Sequence, residues 1–150
     1  MQGTLLDNTK HERVSNDVAA GTSVVNSDSV DTAGFDGVLF IISLGTVTTG
    51  PAADLVKAQQ SSDDGAADAF TDIAGSGLGA VADTDDDKLL ILDVRRPRER
   101  YVRAVMDRTG GNVVIDSITA VLYGPTEGPP AAGSDVSQQG ATVGAESGTA

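Results

Sequence analysis

The chain contains no cysteine. That excludes a disulfide framework, a thiol nucleophile and any Cys-ligated metal, and it leaves the redox compartment undetermined. Tryptophan is absent, and Phe35, Phe40, Phe70, Tyr101 and Tyr123 are the only aromatic residues. The core must therefore rest on Val, Ile, Leu and Ala, and nothing suggests a stacked sugar platform. A single histidine, His11, lies in a polar stretch. A Ser-His-Asp site or a His-based metal site would have to depend on it alone. The longest apolar run near the middle, Val38 to Ile42, is far short of a membrane span. No basic stretch followed by an apolar one opens the chain, so no secretory signal is expected. Helical periodicity over three or more turns is also missing, which leaves strands and turns.

The strand signature is clearest from Leu89 to Tyr123. Short β-branched or aromatic runs alternate there with turn chemistry: Leu89 to Val94, then Arg95 to Arg100 with Pro97, then Tyr101 to Met106, a Thr109-Gly110-Gly111-Asn112 turn, Val113 to Ile115, and Ile118 to Tyr123. Alternation puts Val102, Ala104 and Met106 on an apolar face that should meet the core, with Tyr101, Arg103 and Val105 opposite. Pro97 has no N–H for a ladder, so the arginine-rich segment should be a corner or an edge. Upstream, Val38 to Leu44 is apolar on both faces, as expected of a central strand with one side on the core and the other covered. Gly45 to Asp54 reads as a loop, Leu55 to Gln60 as a strand, Ser61 to Asp68 as an acidic surface loop, and Ala66 to Ile73 as one helical turn at most. A further loop, Gly75 to Asp87, carries Leu78 and Val81 as residues to tuck in. Strands at this spacing indicate an all-β sandwich. Three parts are expected: an N-terminal arm over residues 1–17, a β-sandwich over 18–123, and a Pro/Gly/Ser-rich tail over 124–150. By composition the tail should be disordered unless something pins it, and a pinned tail favours an assembly subunit.

Charge is uneven. The formal net charge is −12, yet the stretch from Lys88 to Arg108 sets seven basic residues against three acids. Arg95, Arg96, Arg98, Arg100 and Arg103 form the candidate partner-binding patch on an otherwise acidic body. Any single arginine is expected to be neutralised by the protein's own aspartates, whereas the cluster as a whole reads as a docking surface for acidic groups, to which the planar guanidinium fork is suited. Nucleic acid is not an expected partner, because the remaining surface would repel phosphate. No membrane partner is expected.

Other candidate chemistry fails on spacing. Asp83-Thr84-Asp85-Asp86-Asp87 has alternate carboxylates, but Lys88 and Val94 stand where a calcium loop needs Gly and Glu. A solvated turn is expected there, with no metal and no cofactor. Asp63, Asp64, Asp68 and Asp72 could supply a carboxylate pair for hydrolysis, without a sugar platform beside them. The Gly75-Ser76-Gly77-Leu78-Gly79 run lacks the strand, helix and Lys-Ser/Thr of a phosphate loop. No catalytic residues are expected.

Two stretches carry a resemblance. Ser29 to Gly45, with Asp31-Thr32-Ala33-Gly34-Phe35-Asp36-Gly37-Val38-Leu39-Phe40, is one; Leu92 to Val105 continuing to Ala120-Val121-Leu122-Tyr123-Gly124 is the other. Together they resemble the small head-decoration, or cement, proteins of tailed bacteriophages. The resemblance implies a jelly-roll-like antiparallel β-sandwich on the outside of an icosahedral capsid. It also implies a non-catalytic role in which joints between major capsid proteins are held against internal DNA pressure. The implied partners are the major capsid protein and further copies of the chain, as a dimer at two-fold or a trimer at three-fold positions. The implied location is the virion exterior, and the host cytoplasm before assembly. The alternative from a different class is a carbohydrate- or receptor-binding sandwich on a phage particle.

Overall fold

The computed structural model describes residues 3–51, 53 and 55–141. Its strands are β1 (Thr9–Ser15), β2 (Val25–Asn26), β3 (Val30–Asp31), β4 (Gly37–Thr49), β5 (Val56–Ser61), β6 (Thr71–Asp72), β7 (Leu89–Arg95), β8 (Tyr101–Met106) and β9 (Asn112–Tyr123). One sheet has the order β1-β9-β4-β7; in the other, β8 lies between β5 and the short β2 and β3, with β6 beyond β5. Every pairing is antiparallel. The protein is an all-β sandwich.

Period-two alternation builds the core between the sheets. Val38, Phe40 and Ile42 of β4 are fully buried, and they meet Val56, Ala58, Val102, Ala104 and Met106 of the opposite sheet in one apolar cluster. β8 follows the expected alternation, although Val105 on its other face is buried as well. The outer face of β4 is only half covered: Leu39 and Ile41 are partly buried, while their neighbours Leu89 and Ile91 on β7 are 58% and 53% exposed.

Several elements differ from the sequence reading. Residues 9–15, expected within an arm, form β1 and pair along β9 from Thr9↔Tyr123 to Ser15↔Ile118. Only Thr9 and Val14 of that strand are buried, so an edge strand with a mostly polar surface looked like an arm. β4 runs on to Thr49 through register shifts after Ser43, where Gly45 had suggested a loop. β9 is continuous across Asp116-Ser117. The Ala66–Ile73 stretch makes no helix. Instead the Asp63 carboxylate accepts the amides of Ala66, Ala67 and Asp68 at 3.0, 2.7 and 3.1 Å, closing the loop into a turn. Val81 is buried, but Leu78 stays 42% exposed. The described part of the tail lies on the sandwich: Thr126 N–H donates to the Gly34 carbonyl at 2.8 Å. A Cβ at Gly133 would sit 2.1 Å from the His11 carbonyl oxygen, so the tail backbone presses directly against β1.

Two close approaches depend on absent side chains. At Gly50, just past β4, a Cβ would stand 1.7 Å from the carbonyl oxygen of Val81. At Gly37 it would meet the Tyr123 hydroxyl at 2.5 Å, because the Tyr123 ring crosses β4 there to donate to Asp93 Oδ1 at 2.7 Å. That side chain ties β9 to β7 over the strand between them. Burial, then the bond to Asp93, pushes the Tyr123 phenol up to about 12 from 10.0.

Gly50→Ala is expected to lower stability by about 2–3 kcal/mol, since backbone must move. Gly128→Ala, which meets nothing within 4 Å, should change it by less than about 0.5 kcal/mol; urea titration of both variants is the check. The raised phenol pKa means that the fold favours the neutral form. Its contribution is fully present below pH 10 and is lost as pH rises through about 12. The stability difference between wild type and Tyr123→Phe should therefore shrink across that window in alkaline denaturation.

Candidate docking site at an arginine corner

The site begins where β7 ends. Arg96 adopts a left-handed backbone with φ of 50°, a conformation that costs a non-glycine residue roughly 1–2 kcal/mol. Pro97 follows and offers no amide to a ladder. Two backbone amides fasten the turn to opposite sheets: Arg96 N–H donates to the Asp36 carbonyl at 2.7 Å, and Arg98 N–H to Gln60 Oε1 of β5 at 3.2 Å. The chain then re-enters the sandwich at Tyr101.

The structure divides the expected patch. Arg100 is committed internally: its guanidinium donates to both Asp31 oxygens at 2.9 and 2.6 Å and lies 5.2 Å from the centroid of the Tyr101 ring. Hydrogen bonding from Arg100 holds the Asp31 carboxyl below the usual carboxylate range, and the same pairing raises the Arg100 pKa. Arg103 is committed too, with two bonds to Gln59 Oε1 at 3.0 and 2.7 Å and the Phe70 ring 4.2 Å beneath it. Arg95, Arg96 and Arg98 are exposed, and their guanidinium groups have no hydrogen-bond or ion-pair partner among the described residues. Among the described residues no nearby acid forms an ion pair with them. Asp93 accepts from Tyr123. Glu99 buries its Oε2 without a partner among the described residues.

Beside these arginines an open cleft of about 450 Å³ separates the end of β7 from β6 and the residues after it. Val94, Pro97 and Ile73 give it apolar walls, Gln60 gives it an amide, and Arg95, Arg96 and Arg98 stand along one side. Asp72 also borders it, but its carboxylate is held by Lys57 Nζ and Gln59 Nε2, both at 2.7 Å, and its pKa is lowered chiefly by the Lys57 bond. The arrangement suits a carboxylate-bearing ligand that lays an apolar stem along the cleft and turns its charges toward the guanidinium groups.

Arg108, counted with the basic stretch on sequence, is an internal staple. It is buried and donates to the carbonyls of Ala19, Ser23 and Val113 at 2.8, 3.0 and 2.7 Å, and burial lowers its pKa. The Asp83–Asp87 carboxylates serve the loop itself: Asp83 accepts from Gly50 N–H, Asp85 from Ala82 N–H and Lys88, and Asp86 from Val47 N–H. Among the described residues no group of three His, Cys, Asp or Glu is placed to hold a metal ion. His11 lines a cleft of about 530 Å³ between β1 and the tail with Asp135 and Ser137, but no hydrogen bond joins any two of these residues. The aromatic rings have structural tasks: Phe40 is buried, Phe35 packs against the core, Phe70 and Tyr101 lie under arginines, and Tyr123 bonds Asp93.

The chain matches no protein-family model, and no curated protein is significantly similar to it.

The left-handed Arg96 permits a direct test of whether this corner is kept for function. Arg96→Gly removes the charge and relieves the backbone, so stability should hold or rise by up to about 1 kcal/mol. A thermal melt in which Arg96→Gly is clearly less stable would show that the side chain is needed by the fold instead.

Proposed function

We propose that the protein is a structural, non-catalytic component of a virion. It binds the outside of an icosahedral phage capsid and stabilises joints between major capsid proteins. The observation that carries this reading is the division of the arginines. Arg100, Arg103 and Arg108 are consumed by the protein's own contacts, while Arg95, Arg96 and Arg98 have no hydrogen-bond or ion-pair partner among the described residues and stand at one outward corner of a chain whose net charge is −12. An acidic protein that clusters three cations without direct ion pairs among the described residues is suited to a partner bearing acidic groups.

Other features support the same reading. The pairing is nested: β1 with β9, β2 and β3 with β8, and β4 with β7. That order supports a jelly roll, as the resemblance to head-decoration proteins implies. The tail is fastened along the outside of β1 rather than folded into the core. On a shell, the stabilisation supplied by each copy adds over all copies, and within the proposed dimer or trimer one bound contact raises the effective concentration of the next. The partners in this proposal are the major capsid protein and further copies of the chain as a dimer or trimer.

The test is uptake by capsids stripped of small outer proteins, followed by light scattering and sedimentation. Saturable binding at fixed stoichiometry, with loaded shells outlasting bare ones on heating, is expected. Replacing Arg95, Arg96 and Arg98 together by Glu should weaken uptake by about a hundredfold or more. Arg103→Gln should leave uptake nearly unchanged, because that charge is already engaged. Failure of the wild-type protein to bind such shells would sink the proposal, as would undiminished uptake of the triple variant.

A further inference from the structure

β7 is the last strand of its sheet, and its hydrogen-bonding pattern shows which way each residue faces. The Lys88 carbonyl accepts from Leu44 N–H at 2.9 Å, and Arg96 N–H donates to the Asp36 carbonyl at 2.7 Å. Between these bonds the register runs unbroken from Ser43↔Leu89 to Gly37↔Arg95. In an antiparallel ladder, opposed pairs alternate between bonded and non-bonded. Leu90, Leu92 and Val94 therefore turn their amides and carbonyls toward β4, whereas Leu89, Ile91, Asp93 and Arg95 turn theirs away from it. Among the described residues, no strand pairs with that side of β7.

Such an edge is ordinarily guarded, because free ladder groups recruit other chains. Here the guards are weak. Asp93 is the one charge between Leu89 and Val94, and it accepts from Tyr123; no proline, lysine or bulge interrupts that stretch, and Lys88 just before it is tied to Asp85. Alongside lies open space: the 450 Å³ cleft continues past Asp93 and Arg95 into a second hollow of about 190 Å³ bounded by Ile73 to Ser76. Leu89 and Ile91 add exposed apolar surface on the same strand. At its far end stand Arg95, Arg96 and Arg98.

We propose that the free edge of β7 is completed by an extended acidic segment of a partner protein. The segment adds as a strand against Ile91, Asp93 and Arg95 and places carboxylates on the guanidinium groups of Arg95, Arg96 and Arg98. Backbone pairing supplies general affinity, and the arginines select an acidic sequence and set its register. The proposal rests on the reading of this corner as a docking surface, but not on a capsid being the partner. Charge complementarity at this edge favours an acidic segment of another protein over a second β7, because β7 of a second copy offers a single acid, Asp93, and repeats the arginine corner.

The experiment uses the isolated full chain, isotope-labelled for NMR, and a soluble peptide of about ten alternating threonine and glutamate residues, long enough to line the edge. Addition of this peptide should shift the Ile91, Asp93 and Arg95 amides and slow their hydrogen exchange by about tenfold or more. Leu90, Leu92 and Val94, already in the ladder, should be slow throughout. The matching threonine–lysine peptide should not bind, and neither should the acidic peptide N-methylated at alternate residues. Binding should be lost in the triple Glu variant and in Ile91→Pro, whose missing amide is not used by β4. If that proline variant does not fold, the N-methylated peptide asks the same question of the wild-type chain.

The proposal is overturned if the acidic peptide leaves these amides unchanged, or if its N-methylated form binds equally well, which would mean charge contact without a strand. Protection of the same amides that rises with protein concentration alone would make a second copy the occupant and also overturn it. Exchange measured on shells separates this inference from the capsid reading. Uptake without protection of Ile91, Asp93 and Arg95 defeats strand addition and leaves capsid binding standing. Strand addition by the peptide with no uptake by shells does the reverse.

Discussion

The rest of the structure depends on β4 being hydrogen-bonded on both sides while one of its faces is shut off from water. β9 and β7 flank it, and Val38, Phe40, Ile42 and Leu44 are essentially inaccessible to solvent. Burying the Phe40 ring and its aliphatic neighbours supplies a driving force of about 2 kcal/mol per side chain, in a chain with few aromatics to share the work. A one-residue slip would send that row to the outside, so register is strongly specified. Tyr123 reinforces it by crossing β4 at Gly37, the position on that strand where a ring can pass, and by bonding Asp93 on the strand beyond.

With the sheet held in register, the far end of β7 becomes a rigid place from which to present charge. The corner after it is fastened to Asp36 on one side and Gln60 on the other. The backbone that carries these arginines is held more firmly than on a free loop, so the proposed binding would cost less backbone ordering entropy. The division of labour among the basic residues follows from distance to the body. Arg100, Arg103 and Arg108 lie within reach of Asp31, Gln59 with Phe70, and a ring of carbonyls, whereas Arg95, Arg96 and Arg98 project beyond any acceptor among the described residues. The left-handed backbone at Arg96 is one that glycine adopts without strain, so the turn itself does not call for an arginine there.

Most of the fold was legible because alternation is a local property. The two faces of β8, the central position of β4 and the corner at Pro97 all follow from the identities of neighbouring residues. β1 was not legible. A strand in which only Thr9 and Val14 are buried carries too little apolar signal to be told from an arm, and only pairing with β9 reveals it. The tail misled for a related reason: a Pro/Gly composition describes a chain without a core, not one lying on a core made elsewhere, as Gly133 does against His11. The site was half legible. The cluster could be counted, but its members could not be sorted, since Asp31 and Gln59 are 69 and 44 residues from the arginines they bind.

The sequence by itself determined the all-β fold class and the whereabouts of the positive charge along the chain. Side-chain alternation, turn residues and the run of arginines are written in neighbouring positions and act over a few ångströms of chain. Tertiary structure alone decided which arginines are free, that the edge of β7 is open, and that a cleft runs beside it. Those properties depend on which distant acceptors fold into reach of each guanidinium and on where a sheet stops, and neither is carried by any short stretch of sequence.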